Sequence, residues 1–168
     1  MNKMREILIE KVTVNIGVGA PGDKLDQAKS LLSRLTESKP VETHARRRDP
    51  VFKLRKGLPI GSKVTLRGVS AKSFLEKALT AKRRLLKESN FDRQGNFAFG
   101  VHEYIDFPGA KYDPGISMFG FDVCVSLARR GKRITMRKLR SAAIGRNHRV
   151  SREEAMEFAK NSFNVRLE

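Results

Sequence analysis

The side chains best suited to chemistry in this sequence are the lysines and arginines of two segments, 46–67 and 129–152. The first segment has eight basic residues; the second has ten and no acidic residue, so together they hold 18 of the chain's 35 lysines and arginines. Ammonium and guanidinium groups bind phosphate, and the planar guanidinium also stacks on nucleobases. Because the charge is concentrated in patches, the two segments predict contacts with a phosphate polymer.

The first segment differs from an ordinary solvated charged surface. Phe52 lies among its cations, where an aromatic ring can stack on a base or pack inside the loop. Gly57, Pro59 and Gly61 restrict its path, which lowers the entropy cost of ordering it on binding. We predict that it contacts RNA or DNA, and the same prediction applies to 129–152. Since that second segment has no acidic residue for pairing within itself, we expect it to be poorly ordered until bound.

The composition agrees with a nucleic-acid partner. The chain has 168 residues, enough for one compact domain, and its formal net charge of +17 implies an anionic partner. Cys124 is the only cysteine, so no disulfide forms within the chain and a reducing, cytoplasmic location is expected. No apolar run approaches the roughly 18 residues of a membrane span, and no signal peptide is visible. We therefore expect no membrane partner.

Two glycine-containing motifs are better explained by structure than by ligand binding. GVGAPG at 17–22 matches the dinucleotide fingerprint, but the preceding strand has one polar face and Pro21 interrupts the start of the helix. We predict a tight turn there. In GNFAFG at 95–100, Phe97 and Phe99 share a face with Val101, which favours packing in the core over base stacking.

Catalytic and metal-binding patterns are weak. The histidines, at positions 44, 102 and 148, have no ligand spacing, and Cys124 has no partner motif. Asp122 and Glu103 are not paired with a second catalytic group. We expect no enzymatic activity, no cofactor and no metal site.

Strands and amphipathic helices alternate along the chain. Strands are predicted at 11–18, 41–45, 63–67, 97–103 and 121–127. Apolar helical stripes follow Asp23, the predicted cap Ser70 and a capping box at Ser151. The second helix is expected to have a hydrophobic staple of Val69 and Phe74 and to extend its buried stripe to Leu85 and Leu86. Residues 106–120 are predicted to form a long ordered loop.

Because every strand shows one polar face, the pattern predicts an α+β fold. We expect a two-layer sandwich, with a mostly antiparallel sheet, helices on one face and an open RNA-binding face. It is predicted to be a single domain, 1–168, with a basic loop at 46–61 and a basic C-terminal segment at 129–150. A polar sheet with loops suits irregular RNA better than a DNA major groove. The polar sheet face is predicted to consist of Lys11, Thr13, Asn15, Lys63, Thr65 and Arg67.

Five stretches that cover nearly the whole chain form a recognisable series: KVTVNIGVG (11–19), FKLRKGLPIGSKVTLRG (52–68), GNFAFGVHE (95–103), FPGAKYDP (107–114) and GFDVCV (120–125). Their residues and order resemble the large-subunit ribosomal protein L5 family (uL5). The short N-terminus and the basic stretch 129–149 are similar to its archaeal and eukaryotic-type branch.

The resemblance implies a non-catalytic protein of the central protuberance. Its implied partners are 5S rRNA, 23S-type rRNA, the P-site tRNA, a small-subunit head protein across an intersubunit bridge, and other central-protuberance proteins. Asn15, Phe52 and Thr65 fall on positions that the family uses for 5S rRNA, whereas Ser38 replaces a family glutamine. Phe52 is expected near the junction of the basic loop and the strand after it.

Two sets of binding residues follow from the pattern and the resemblance together. The predicted rRNA-binding residues are Lys11, Thr13, Asn15, Thr43, Phe52, Lys63, Thr65, Arg67, Arg133, Arg137, Lys138 and Arg140. The predicted tRNA-binding residues are Arg46, Arg47, Arg48, Lys53, Arg55 and Lys56.

Two other functions are compatible with the same charge. One is a free-standing RNA chaperone or translational regulator, which would not stay with the large subunit in moderate salt. The other is a polyanion-binding structural protein of chromatin, which would show no preference for RNA over duplex DNA.

Overall fold

The structure, a computed structural model, describes residues 2–168. Its contacts group these residues into two compact units. The first unit holds residues 2–12, 67–99 and 124–168, and the second holds 13–66 and 100–123. The single domain predicted for 1–168 stays a prediction.

Seven strands and four α-helices make up the fold of residues 2–168. The strands are β1 (Ile7–Gly17), β2 (Val41–His44), β3 (Pro59–Leu66), β4 (Leu85–Leu86), β5 (Phe97–Val101), β6 (Phe121–Arg129) and β7 (Arg166–Leu167). The helices are α1 (Asp23–Thr36), α2 (Gly68–Ala81), α3 (Arg133–Met136) and α4 (Arg152–Phe163). Five strands form one sheet in the order β2-β3-β1-β6-β5, and β4 pairs with β7 in parallel. The α+β class and the mostly antiparallel sheet are confirmed.

The alternation seen in the sequence sets the two faces of each long strand. In β1 the side chains of Val12, Val14 and Ile16 are buried, while the residues between them are only half-buried. In β3 Val64 and Leu66 are buried between exposed neighbours. The inward residues predicted for β5 and β6 are also buried: Phe97, Phe99, Val101, Phe121, Val123, Val125 and Leu127.

In the second unit, α1 packs against β3. The predicted apolar stripe of α1 is buried through Leu25, Ala28, Leu31 and Leu32. The helix ends at Thr36, because Glu37 adopts the left-handed conformation with φ of 51°. The sequence pattern predicted that the helix would end at the Lys39-Pro40 pair, and the observed end is three residues before Lys39.

The start and end of α2 differ from the prediction. The helix begins at Gly68 and has no side-chain cap, so Ser70 lies inside it. Val69 is 86% exposed, and the predicted staple with Phe74 is therefore wrong. The helix ends at Ala81, before Leu85 and Leu86. Arg83 and Arg84 both have φ of 56°, which turns the chain out of the helix and into β4.

The loop predicted at 106–120 is held by polar contacts within the second unit. Arg34 of α1 forms an ion pair with Asp113 at 2.6 Å, and Asp113 also accepts the Gly115 N–H at 2.9 Å. These two hydrogen bonds, the Arg34 contact first, lower the pKa of Asp113. The Tyr104 hydroxyl is buried and accepts the Asp113 N–H at 3.2 Å. The predicted order of this loop is confirmed.

Gly61 sets the close approach of three strands. A Cβ atom there would lie 2.7 Å from the Ile16 carbonyl oxygen and 2.8 Å from Thr43 Oγ1. Because the first of these is backbone, Gly61→Ala is expected to lower the free energy of unfolding by about 1–3 kcal/mol. Gly145→Ala is the control, since Gly145 has φ of −56° and the described chain places nothing within 4 Å of the added carbon. Equal denaturation midpoints for the two variants would contradict the close approach of the three strands at Gly61.

Candidate nucleic-acid interface

The polar sheet face is built by β1 and β3, which are neighbours in the sheet. In the second unit, Lys63 and Thr65 are exposed, and Thr13 and Asn15 are half-buried. Each of these residues alternates with buried apolar residues of its own strand. Since neighbouring strands bury the same side of a sheet, these four polar side chains share the opposite side. The structure therefore brings together four of the predicted rRNA-binding residues.

Thr43 belongs to the same face. β2 and β3 pair in antiparallel register, with Val41 opposite Lys63 and Thr43 opposite Gly61. Residues directly opposite each other point to the same side of the sheet, so Thr43 lies on the side of Lys63. Thr43 is thus the third short hydroxyl side chain of the predicted set on this side, after Thr13 and Thr65, and its strand is next to that of Thr65.

Lys11 and Arg67, the other two residues predicted for the polar sheet face, belong to the first unit. Lys11 is half-buried, and Arg67 follows β3 and is exposed. The Arg67 Nη1 atom donates to the Glu10 carbonyl oxygen at 3.4 Å. This contact holds the guanidinium against the backbone of β1.

The basic loop is an ordered extension of the β2–β3 hairpin. Ala45 donates its N–H to the Leu58 carbonyl at 2.8 Å, and Asp49 and Leu54 exchange backbone hydrogen bonds of 3.1 and 2.8 Å. The Asp49 carboxylate accepts the Val51 N–H at 3.0 Å and so holds the turn. Phe52 lies at the tip of this hairpin and is 72% exposed. The expectation that Phe52 lies near the junction with the sheet is therefore wrong.

Six exposed cations lie in that tip and on the two arms of the hairpin. None of them has an acidic partner within 4 Å in the part of the chain that the structure describes. They are the residues predicted to bind tRNA: Arg46, Arg47, Arg48, Lys53, Arg55 and Lys56.

Lys29, in the same unit, is a cation that does form ion pairs with acidic side chains. Its ammonium lies 2.6 Å from Glu42 and 2.9 Å from Asp26. The hydrogen bond that Lys29 donates to Glu42, followed by the one it donates to Asp26, raises the pKa of Lys29. Lys29 is thus neutralised by its neighbours, unlike the cations of the basic loop.

The basic C-terminal segment is attached to the first unit by some of its own cations. Arg129, whose side chain is only 8% exposed, pairs with Glu154 of α4 at 2.6 Å and donates to the Asn147 carbonyl at 3.2 Å. Lys132 forms an ion pair with Glu10 of β1. A ring nitrogen of His148 hydrogen-bonds the Arg130 carbonyl at 2.8 Å.

Other cations of this segment are free of such pairing. Arg133, Arg137, Lys138 and Arg140 are exposed, and residues 2–168 offer none of them an acidic partner. These four are the rRNA-binding residues predicted in this segment. The cations therefore divide into anchoring residues and residues available to phosphate.

The anchoring residues were missed in the sequence. The prediction of poor order considered only pairing within 129–152, whereas Glu10 and Glu154 come from β1 and α4. The one visible signal was the capping box, in which Glu154 accepts the Ser151 N–H at 3.0 Å. The second carboxylate oxygen of Glu154 accepts a hydrogen bond from Arg129. No local sequence pattern predicts that contact.

The two glycine-containing motifs have the structures predicted for them. Gly19 and Gly22 have φ of 84° and 122°, as a tight turn between β1 and α1 requires. Phe97 and Phe99 are 2% and 5% exposed, so core packing is confirmed and base stacking by these rings is excluded.

Metal-ligating side chains are scattered over residues 2–168. No group of three or more of them lies together in this range. Within the same range, none of the helices has the length and hydropathy of a membrane span.

Comparison with known proteins covers almost the entire chain. Residues 2–55 match the family model for ribosomal protein L5, and residues 59–162 match the model for the C-terminus of the same ribosomal family. The large ribosomal subunit protein uL5 of Sulfurisphaera tokodaii is 51% identical, covering 99% of this chain and 95% of that protein. The uL5 protein of Methanosphaera stadtmanae is 45% identical over the full length of both chains. A cytoplasmic, ribosomal location fits these relatives.

These matches extend over both compact units, and the relatives are archaeal proteins of the large subunit. The chain therefore belongs to the ribosomal protein L5 family, in its archaeal and eukaryotic-type branch, and is a structural component of the ribosome and not an enzyme.

Proposed function

We propose that this chain binds 5S rRNA and 23S-type rRNA in the central protuberance of the large subunit. The observation that supports the proposal best is the polar sheet face. It presents short hydrogen-bonding side chains, Thr13, Asn15 and Thr65, over a buried apolar layer. Groups of this kind read ribose 2′-hydroxyls and base edges, whereas the cations supply attraction that does not depend on sequence.

The basic C-terminal segment adds the second part of the rRNA site. Its four cations without an acidic partner in residues 2–168 lie on a segment that ion pairs hold against β1 and α4. Phosphates bound by these cations release counterions, so the affinity for rRNA falls linearly with salt on a logarithmic scale.

The basic loop is the element that we assign to the P-site tRNA. It is a hydrogen-bonded hairpin with six cations that have no acidic partner in residues 2–168 and, at its tip, the exposed side chains of Val51 and Phe52. Cations on both arms bind a phosphate backbone, and an exposed ring at the tip stacks on a base. Removing the ring by Phe52→Ala is the direct test, since loss of binding with unchanged stability supports stacking.

Specificity and general affinity are carried by different residues. Asn15→Ala and Thr65→Ala are expected to lower the preference for 5S rRNA over an unrelated RNA by about 5- to 30-fold, since each removes about 1–2 kcal/mol of hydrogen bonding. Arg47→Ala should lower this preference less than either of them, because a cation of the basic loop contacts phosphate and does not read sequence. Filter binding with both RNAs measures these ratios. If all three variants lose the same fraction of their affinity for both RNAs, the polar sheet face does not provide specificity.

The remaining proposed partners are proteins. We place a small-subunit head protein across an intersubunit bridge and other central-protuberance proteins next to this chain, as in the family that it resembles. A free-standing RNA chaperone is the alternative role. Cosedimentation separates the two, because a ribosomal component stays with the large subunit in moderate salt.

A further inference from the structure

The basic C-terminal segment covers a pocket in the first unit. The pocket has a volume of about 380 Å³ and is lined by the end of β6, the turn before β5 and the basic segment itself. Leu127 and Val150, both nearly fully buried, and Ile144 give it an apolar wall. We propose that this pocket takes one unpaired nucleotide of the bound rRNA, turned out of its stack. The inference rests on the proposed rRNA binding.

The polar groups of the pocket suit the edge of a base. Gln94 and Asn96 come from a turn that Asp92 fixes by accepting their N–H groups at 2.8 and 2.7 Å. The Asn96 amide nitrogen donates to Asp92 at 2.9 Å, so its orientation is set. Within residues 2–168 the Asn96 amide oxygen and the Gln94 amide have no hydrogen-bond partner. A fixed acceptor beside a free amide is the arrangement that reads donors and acceptors of a base edge.

The charge around the pocket selects an anion. Arg149 is exposed and has no acidic partner in the described chain, and none of the lining residues is acidic. Lys132 also lines the pocket, but it is paired with Glu10. Arg149 is therefore the residue available to the phosphate or, through its guanidinium plane, to the base.

The size limits what can enter. About 380 Å³ lies near the lower end of the roughly 300–1,000 Å³ typical of ligand pockets, too little for a helical segment of RNA. Flipped nucleotides are held in this way, with apolar side chains on the base face and hydrogen bonds at its edge. The occupant that fits the lining is a single nucleotide.

Filling the pocket tests the proposal. Ala143 is exposed and lines it, so Ala143→Phe places a ring in the space with little strain on the core. Ala142→Phe is the matched control, because Ala142 is also exposed but does not line the pocket. The probe is 5S and 23S-type rRNA treated with a base-reactive reagent, with and without the purified chain. Ala143→Phe should bind about tenfold more weakly than the control, the scale of one lost base contact.

The footprint gives the decisive result. One unpaired base should be protected by the native chain and by Ala142→Phe, and become reactive with Ala143→Phe, while protection elsewhere persists. Gln94→Ala, which removes an exposed side chain without adding volume, should expose the same base if Ala143→Phe fails to fold. If the native chain binds rRNA but protects no single base, or if both phenylalanine variants behave alike, the pocket has another occupant and the proposal is wrong. Absence of any rRNA binding would instead overturn the proposed function.

Discussion

Replacing Arg133, Arg137, Lys138 and Arg140 together with glutamine is expected to weaken rRNA binding by about a hundredfold or more at physiological salt. None of the four has an acidic partner in the described chain, so each is available to a phosphate. The slope of log affinity against log salt should fall by about 3, since each phosphate contact adds roughly 0.7 to 0.9.

A charge-matched variant separates local contact from net charge. Lys72, Lys77, Lys87 and Lys160 are exposed in other parts of the first unit, and their replacement by glutamine removes the same four charges from the total of +17. We expect this control to keep most of the native slope. If both variants lose the same affinity and slope, the chain attracts RNA through its overall charge and the basic C-terminal segment is not a binding element.

The second large effect is expected on neutralising Glu154. Two explanations predict opposite changes in RNA affinity for this substitution. Removing a negative charge from a strongly basic chain should tighten RNA binding if only long-range attraction matters. Glu154, however, holds the nearly buried Arg129, which in turn holds the Asn147 carbonyl. We therefore expect Glu154→Gln to loosen the basic C-terminal segment and to weaken rRNA binding about tenfold, with a loss of about 1–3 kcal/mol in stability.

The substitution is chosen so that the helix start survives. Glutamine at this position of a capping box still reaches back to the Ser151 N–H, so α4 keeps its cap. Glu153→Gln is the control, because Glu153 is exposed and has no ion pair in residues 2–168. Binding is measured well below the unfolding midpoint of both variants. Tighter binding by Glu154→Gln than by the native chain would show that Arg129 and Glu154 do not position the segment.

Local periodicity was enough to predict which faces of β1 and β3 are buried. In β1 and β3 the apolar residues recur every second position, and the hydrophobic effect then decides which side of the strand is buried. For that reason the alternation alone is sufficient to place Thr13, Asn15, Lys63 and Thr65 on the polar face.

Features that depend on distant residues could not be predicted in this way. Lys132 and Glu10 are 122 positions apart, and only the tertiary fold brings them together. The position of Phe52 depends on the register of the hairpin, in which Asp49 meets Leu54 and leaves Phe52 in the turn. Nor does the sequence show a pocket, because its walls come from a strand end, a turn and the basic segment.

We propose above all that this member of the ribosomal protein L5 family binds 5S rRNA through its polar sheet face and basic C-terminal segment. Crosslinking in cells, followed by identification of both the RNA and the crosslinked residues, tests it most directly. We predict that 5S rRNA is the most enriched RNA, with crosslinks at the polar sheet face and at Arg133 to Arg140, and that 23S-type rRNA comes next. Crosslinks spread over cellular RNAs in proportion to their abundance, or 5S crosslinks that avoid both surfaces, would contradict the account.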